Sequence, residues 1–359
     1  MKNLITFITI LLTIGLSAQN VITVDNNQGA GAQYSELQTA INDANSGDII
    51  YVQPSPNDYG NININKTLSI YGMGHQPELN AGLNAKVGTI EFTNASNTQI
   101  SGLGINSINL TSNSLSNINS NIIITNNRIG RVLGNNSPQR ANNAIINGNY
   151  FNNPDFRAID NNNSQNWVIA NNIIEQSNTN SIWTTFEDFN SSTVFSNNII
   201  LTRQNGDSNQ SIQLFKDCNG TSISNNIFLF TGSNVSNINL GDNIALDYSN
   251  NLTNSYNSNL SPLPGTNNLD NTDPLLTSFN PDASLNTTTN NYELQSGSPA
   301  EDAGTDGNDL GVFNGNFPFN LRGYPTELPY LTEFTIFNTS ISAGETLNIN
   351  IKANANINN

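Results

Sequence analysis

The chain has 359 residues, with 27 acidic side chains against 11 basic ones and a net charge of −16. That balance excludes the basic face that nucleic acid or an anionic membrane surface demands. A single Cys, Cys218, excludes a disulfide framework, and a single His, His75, excludes Ser-His-Asp triads and multi-His zinc sites.

Residues 1–19 have the pattern of a secretory signal peptide: Lys2, an apolar stretch from Ile5 to Leu16, and the small-residue exit Ser17-Ala18-Gln19. The apolar stretch is too short to span a bilayer, and no Cys near the exit offers a lipid anchor. The expected location is outside the cell or on a bacterial surface, with no membrane insertion after cleavage. From Tyr34 to Ala44, Leu37, Ala40, Ile41 and Ala44 form one apolar helical stripe, with Ser35 as expected N-cap and Gln38 completing a capping box. Gly47-Asp48-Ile49-Ile50-Tyr51-Val52 follows as a strand, and Leu68 to Met73 has the form of an early coil. His75, after Gly72-Met73-Gly74, reads as a turn residue.

Beyond residue 100 one unit recurs: an apolar residue, two polar ones, and a second apolar residue around a central Asn. It appears as Ile124-Thr125-Asn126-Asn127-Arg128-Ile129 and returns around Asn149, Asn172, Asn198 and Asn226, at spacings of 22, 23, 26 and 28. With the second Asn as position zero, position minus three holds Ile124, Ile146, Ile169, Phe195 and Ile223. Position plus two holds Ile129, Phe151, Ile174, Ile200 and Phe228. Such a unit cannot bury its apolar face alone and must stack on its copies. No segment shows the three- and four-residue spacing of a helical repeat. Asn at the bend suits a left-handed backbone. At a strand separation of about 4.8 Å, stacked Asn side chains can satisfy one another as an amide ladder. Asn supplies about one residue in five, and the unbroken apolar columns argue against a disordered Asn-rich tract. Ile100 to Ile105 fits the same columns with Leu103 at zero, and Leu246 to Thr253 is a degenerate later coil. A further apolar strand is expected at Val132, Phe156 to Ile159, Ile182-Trp183, Ile212 to Phe215 and Ile238 to Leu240; Trp167 falls in a core column with Ile122.

Residues 252–292, rich in Asn, Ser, Thr, Pro and Gly, read as long loops. From Leu328 onward, Phe334, Ile336, Leu347, Ile349 and Ile351 alternate with polar residues around Ser342 to Glu345, the pattern of a β-hairpin. The expected organisation is a signal peptide over 1–19, a β-helix over 20–327 and a hairpin tail over 328–359.

Two clusters could carry chemistry. Asp160, Asp188, Asp217 and Asp242 each precede an Asn-containing turn, with Arg157, Glu187 and Lys216 beside them. Stacked coils would bring these carboxylates into one file, where they repel unless a cation compensates; oxygen-rich clusters suit Ca²⁺. The plainer reading is turn capping by Asp. Trp183, Phe186 and Glu187 form the second cluster, as a candidate sugar-stacking surface; the favoured reading of Trp183 and Phe186 is coil interior.

The columns, together with the opening Tyr34 to Val52 and the closing Ser298-Pro299-Ala300-Glu301-Asp302-Ala303-Gly304 with Asp309-Leu310-Gly311-Val312-Phe313, resemble the pectate-lyase-like right-handed parallel β-helix superfamily over roughly residues 21–315. The resemblance implies an all-β solenoid with a short N-terminal capping helix. In polysaccharide lyases of that kind, Ca²⁺ held by acidic residues neutralises a uronate while an Arg or Lys removes the proton α to it. Arg157 and Lys216 would then be the candidate bases. Specific lyase motifs and the Asp constellation of polygalacturonases are absent. The expected function is a secreted, monomeric protein that binds, and in one version cleaves, a polysaccharide or cell-surface glycan. The alternative is a non-catalytic adhesin or structural surface protein. Ice binding needs flat Thr arrays that the sequence lacks.

Overall fold

A computed structural model describes the chain except residues 1–18, 78–81, 111–118, 135–140, 153, 155–156, 163, 178, 180–183, 239–242, 287–288, 326, 339 and 355–359. The leader expected over 1–19 thus lies outside the described residues but for Gln19. Among the described residues no helix is long and apolar enough to cross a membrane.

The chain winds as a right-handed parallel β-helix. Sheet one stacks ten parallel strands, from Val21–Val24 through Ile123–Thr125, Ile145–Asn147, Val168–Ala170 and Val194–Ser196 to Asp247–Ser249. Sheet two holds twelve and forks. Its early strands, Lys86–Phe92, Gly104–Asn109 and Arg128–Leu133, are long. Tyr150–Asn152 pairs with the first half of Arg128–Leu133, and Ile159–Asp160 with the second half. From there each coil carries two strands in sheet two instead of one, and so gains a third face.

The register is that of the apolar columns. Ile124, Ile146, Ile169, Phe195 and Ile223 are successive partners, as are Ile129, Phe151, Ile174, Ile200 and Phe228. All lie in the coil interior with Trp167, and almost none of their surface reaches solvent. The further apolar strand is Ile159, Phe186 and Phe215 in register with Val132. Phe186, not Ile182-Trp183, occupies that column; Phe156, Ile182 and Trp183 lie outside the described residues.

The two Asn of each unit do different work. The left-handed residue is the first of the pair, position minus one: Asn126, Asn171, Asn197, Asn225 and Asn250 have φ of 54°, 54°, 55°, 60° and 53°, with Gly148 in the same place. This corrects the expectation that position zero takes that conformation. Position zero turns its side chain inward. Asn127, Asn149, Asn172, Asn198, Asn226 and Asn251 are all fully buried. Each accepts, through Oδ1, the backbone N–H and the Nδ2 of the Asn one coil earlier. Asn149 N and Nδ2 reach Asn172 Oδ1 at 2.9 and 3.1 Å, and Asn172 N and Nδ2 reach Asn198 Oδ1 at 2.9 and 3.0 Å. Each Nδ2 also donates to a carbonyl of the preceding coil, as Asn172 does to Ile146 O at 2.9 Å. Leu103 N opens the file on Asn127 Oδ1, and Asn268 Oδ1 closes it.

The capping helix runs Leu37–Asp43 and buries Leu37, Ala40 and Ile41. Its N-cap is Glu36, without a side-chain cap bond. Ser35 therefore does not cap it, and Gln38 bonds Asn42 Oδ1 and the backbone of Asn63 instead. Cys218 is buried, as expected of a core residue, and burial pushes its thiol up to about 12. His75 sits at a bend, as expected, and is fully buried there against Phe319 and Tyr150; desolvation drives it down to about 3, so it is neutral.

The stretch from Leu276 to Leu321 is no free loop. It straps the outer side of sheet two and builds a second core on Tyr150, Ile173, Ile199, Ile227 and Leu252. Ala300, Leu310 and Val312 of the terminal signature enter that core. Gly311, at φ +88°, lies so close that a Cβ would come within 3.3 Å of both Ile227 and Ile199. Glu175, buried under the strap, accepts from the hydroxyls of Tyr150 (2.8 Å) and Tyr292 (2.7 Å). The tail forms an antiparallel hairpin, Tyr330–Ile336 with Ile349–Asn354.

Asn172→Leu removes the acceptor of two Asn149 donors and the donor to Ile146 O, and should cost about 1–3 kcal/mol. Ile169→Ala leaves a cavity in the coil interior and should cost about 2–5 kcal/mol. Chemical denaturation of the two variants checks both values.

Candidate functional site

The third face begins at the fork. Ile159, Phe186 and Phe215 fill the interior, so the alternate residues Asp160, Glu187 and Lys216 must point outward. They are direct register partners across three coils. The expected file of Asp160, Asp188 and Asp217 is therefore displaced by one residue in its second and third coils. Asp188 and Asp217 sit at the following turn, in left-handed conformation (φ 62° and 54°). Asp242 lies outside the described residues.

The outward residues form a chain of alternating charge. Arg157 Nη1 donates to Asp160 Oδ2 at 2.5 Å, and its Nε lies 2.8 Å from Glu187 Oε2, off-line for a hydrogen bond. Lys216 Nζ donates to Glu187 Oε1 at 3.0 Å and lies 3.5 Å from Asp217 Oδ2. Asp160 Oδ1 also accepts from Asn162 N at 2.9 Å, the turn-capping role. Asp160 and Glu187 are nearly buried, Arg157 and Lys216 partly open. Such pairs hold their side chains in place while contributing little net stability.

The protonation preferences follow from this packing. Burial raises the Asp160 carboxyl despite Arg157. The hydrogen bond and charge of Glu187 raise Lys216, which favours the ammonium and opposes a role as neutral base. Asp188 is pushed up to about 6, by desolvation first and then by Asp160, Glu187 and Asp217. Among the described residues no hydrogen bond or ion pair engages its carboxylate. Among the described residues of the cluster it is the carboxylate left open to a ligand.

Of the aromatic candidates, Phe186 does not reach the surface. It is fully buried and packs on Phe195 and Phe215 at ring separations of 4.8 and 5.0 Å. Trp183 lies outside the described residues. Glu187 belongs to the ion-pair chain. Of the expected calcium ligands, Asp160 pairs with Arg157 and Asp217 lies beside Lys216. Arg157, expected beside Asp160, does pair with it.

The raised Asp188 carboxyl has a signed consequence. Its proton is held more tightly in the folded chain than at the unfolded value of about 3.9. The stabilisation linked to that proton is complete below pH 4 and is lost as pH rises through about 6. Asp188→Asn should therefore gain melting temperature relative to the parent chain between pH 4 and 7 and level off above. Parallel pH-dependent melting curves would contradict it.

No protein-family model and no curated protein matches the sequence. Among solved structures, the chain is similar to the pectate lyase Pel9A, with 14% identity and a TM-score of 0.46 over 84% of this chain and 98% of that one. It is also similar to PfbA, a surface adhesin of Streptococcus pneumoniae, with 12% identity and a TM-score of 0.37 over 61% of this chain and 69% of that one. Both scores lie below 0.5, so the fold rests on the strand pairing itself. By that pairing the chain is a right-handed parallel β-helix.

Proposed function

We propose that this chain is an exported protein whose third face binds an extracellular polysaccharide. The observation that carries the reading is the outward chain Asp160–Arg157–Glu187–Lys216, flanked by the open Asp188. Asp160, Glu187 and Lys216 follow one another along the face at one step per coil, and Arg157 bridges the two carboxylates. A polymer of sugar rings offers hydroxyl groups, or carboxylates, at regular intervals to such a row. The partly open Arg157 and Lys216 can meet a uronate, and Asp188 can accept from a hydroxyl. The overall charge of −16 makes a neutral or weakly charged glycan a better partner than nucleic acid.

Cleavage is the second reading, favoured by the Asp188 carboxyl near 6, which suits proton transfer close to neutral pH. Arg157 and Lys216 remain the bases that the family resemblance suggests, but Lys216 would first have to lose Glu187. An adhesin role corresponds to binding without cleavage. Calcium would have to displace Lys216 from Glu187, and a rise of melting temperature on adding Ca²⁺ would report that exchange.

The test is a panel of neutral and uronate polysaccharides. Binding is followed by affinity electrophoresis and cleavage by absorbance of the unsaturated product. Glu187→Gln, which removes the carboxylate that joins Arg157 to Lys216 and so breaks the preset row, should weaken binding roughly tenfold. A chain that retards no polysaccharide and releases no product would overturn the reading. Product formation lost in Lys216→Ala would establish the lyase version.

A further inference from the structure

A second site lies on sheet two, ahead of the strap. Lys86, Gly104 and Arg128 are consecutive register partners on three neighbouring strands. Two strand spacings, roughly 10 Å, separate the cations, and the glycine between them contributes no side chain. The hollow so formed is a pocket of about 190 Å³, lined also by Asp58, Asn84, Asn106 and Asn152.

The cations here are uncompensated. Among the described residues neither Lys86 nor Arg128 forms an ion pair, in a chain with 27 acidic side chains. Arg128 is held by an aromatic face instead: its guanidinium carbon lies 5.1 Å from the ring centre of Tyr150, which is fully buried. That contact fixes the guanidinium without consuming its N–H donors. The Tyr150 hydroxyl, whose hydrogen goes to Glu175, also lies 3.0 Å from the Asn152 side-chain amide, which places that amide at the pocket. Asn84 is 4% exposed and its Oδ1 has no hydrogen-bond partner. Gly104 is required at this spot, because a Cβ there would meet Asn84 Nδ2 at 2.6 Å. The orphaned Asn84 oxygen calls for a hydroxyl donor and the aromatically braced guanidinium for an anion, and both face one small pocket.

We propose that this pocket binds the carboxylate end of a small sugar acid. Two cations against one carboxylate, Asp58, leave room for one negative charge, which selects a monoanion over phosphate or sulfate. Asp58, bonded through one oxygen to Gly60 N, keeps another oxygen as acceptor for a sugar hydroxyl. The Asn amides supply further donors and acceptors. The volume is below the roughly 300 Å³ of a drug-sized pocket and fits a single terminal unit rather than the middle of a polymer. The site is separate from the charged third face and does not depend on the polysaccharide reading.

The experiment is calorimetric titration of the full chain with D-galacturonate, D-galactose and inorganic sulfate at low salt. Galacturonate should bind, with galactose and sulfate each at least tenfold weaker. Arg128→Gln and Lys86→Gln should each cut galacturonate affinity roughly tenfold, the loss of one charge-assisted contact. Lys352→Gln, in the tail, should change nothing. Lys86 is exposed, so its variant keeps the test valid if Arg128→Gln fails to fold. No binding by the parent chain, equal binding of galactose, or undiminished binding by Lys86→Gln would overturn the proposal. Sulfate binding as tightly as galacturonate would overturn the sugar acid in favour of a simple anion.

Discussion

The buried amide file from Asn127 to Asn251 is the constraint from which the rest of this molecule follows. A buried amide must be satisfied, and here each leans on the coil before and the coil after it, with a carbonyl two residues back in its own coil helping at Asn127, Asn149, Asn226 and Asn251. That requirement fixes the turn between sheets one and two at the same place in every coil. The apolar columns on either side then fall into register over distances that loop length alone would not control. The left-handed Asn at position minus one makes the bend, and the inward Asn at position zero locks it. Coils of 22 to 28 residues can differ in length because all of the variation is exported to the opposite side of the coil.

That opposite side is where the charged face lies. The fork in sheet two places Asp160, Glu187 and Lys216 on short strands whose inner residues are held by a cluster of phenylalanine rings. The rigidity of the face is thus inherited from the hydrophobic column behind it. The charges themselves add little to stability at such a half-open surface. Their arrangement makes sense as a set of preset contacts for something outside the molecule, and Asp188 is the contact left free.

Much of the coil could be read from the sequence because its period is carried by residues adjacent to the Asn. Positions minus three and plus two never stray from the turn, so counting along the chain finds them. The tail hairpin was equally legible, through alternation from Phe334 to Ile351. Counting failed where loops of unequal length intervene. Asp188 and Asp217 were aligned with Asp160, whereas Glu187 and Lys216 are its partners. The strap was missed for another reason. Its signal is a change of the plus-one column from Arg128 to Tyr150, Ile173, Ile199, Ile227 and Leu252, outward positions that turn apolar because a later segment covers them. Seen one coil at a time, that change looks like a wider apolar pair. The uncovered start of the same column, Lys86, Gly104 and Arg128, was overlooked with it.

The amide file also has a direction. In every amide-to-amide bond the Asn donates toward the next coil and accepts from the previous one, so these bonds run head to tail from Asn127 to Asn268. Bonds aligned in this way polarise one another, and a coil in the middle gains more from the file than a coil at its end. The molecule should then open as a zipper does, from its ends, with each lost coil weakening only its neighbour. Hydrogen exchange along the six position-zero amides would show protection highest near Asn172 and Asn198 and falling toward both termini of the file.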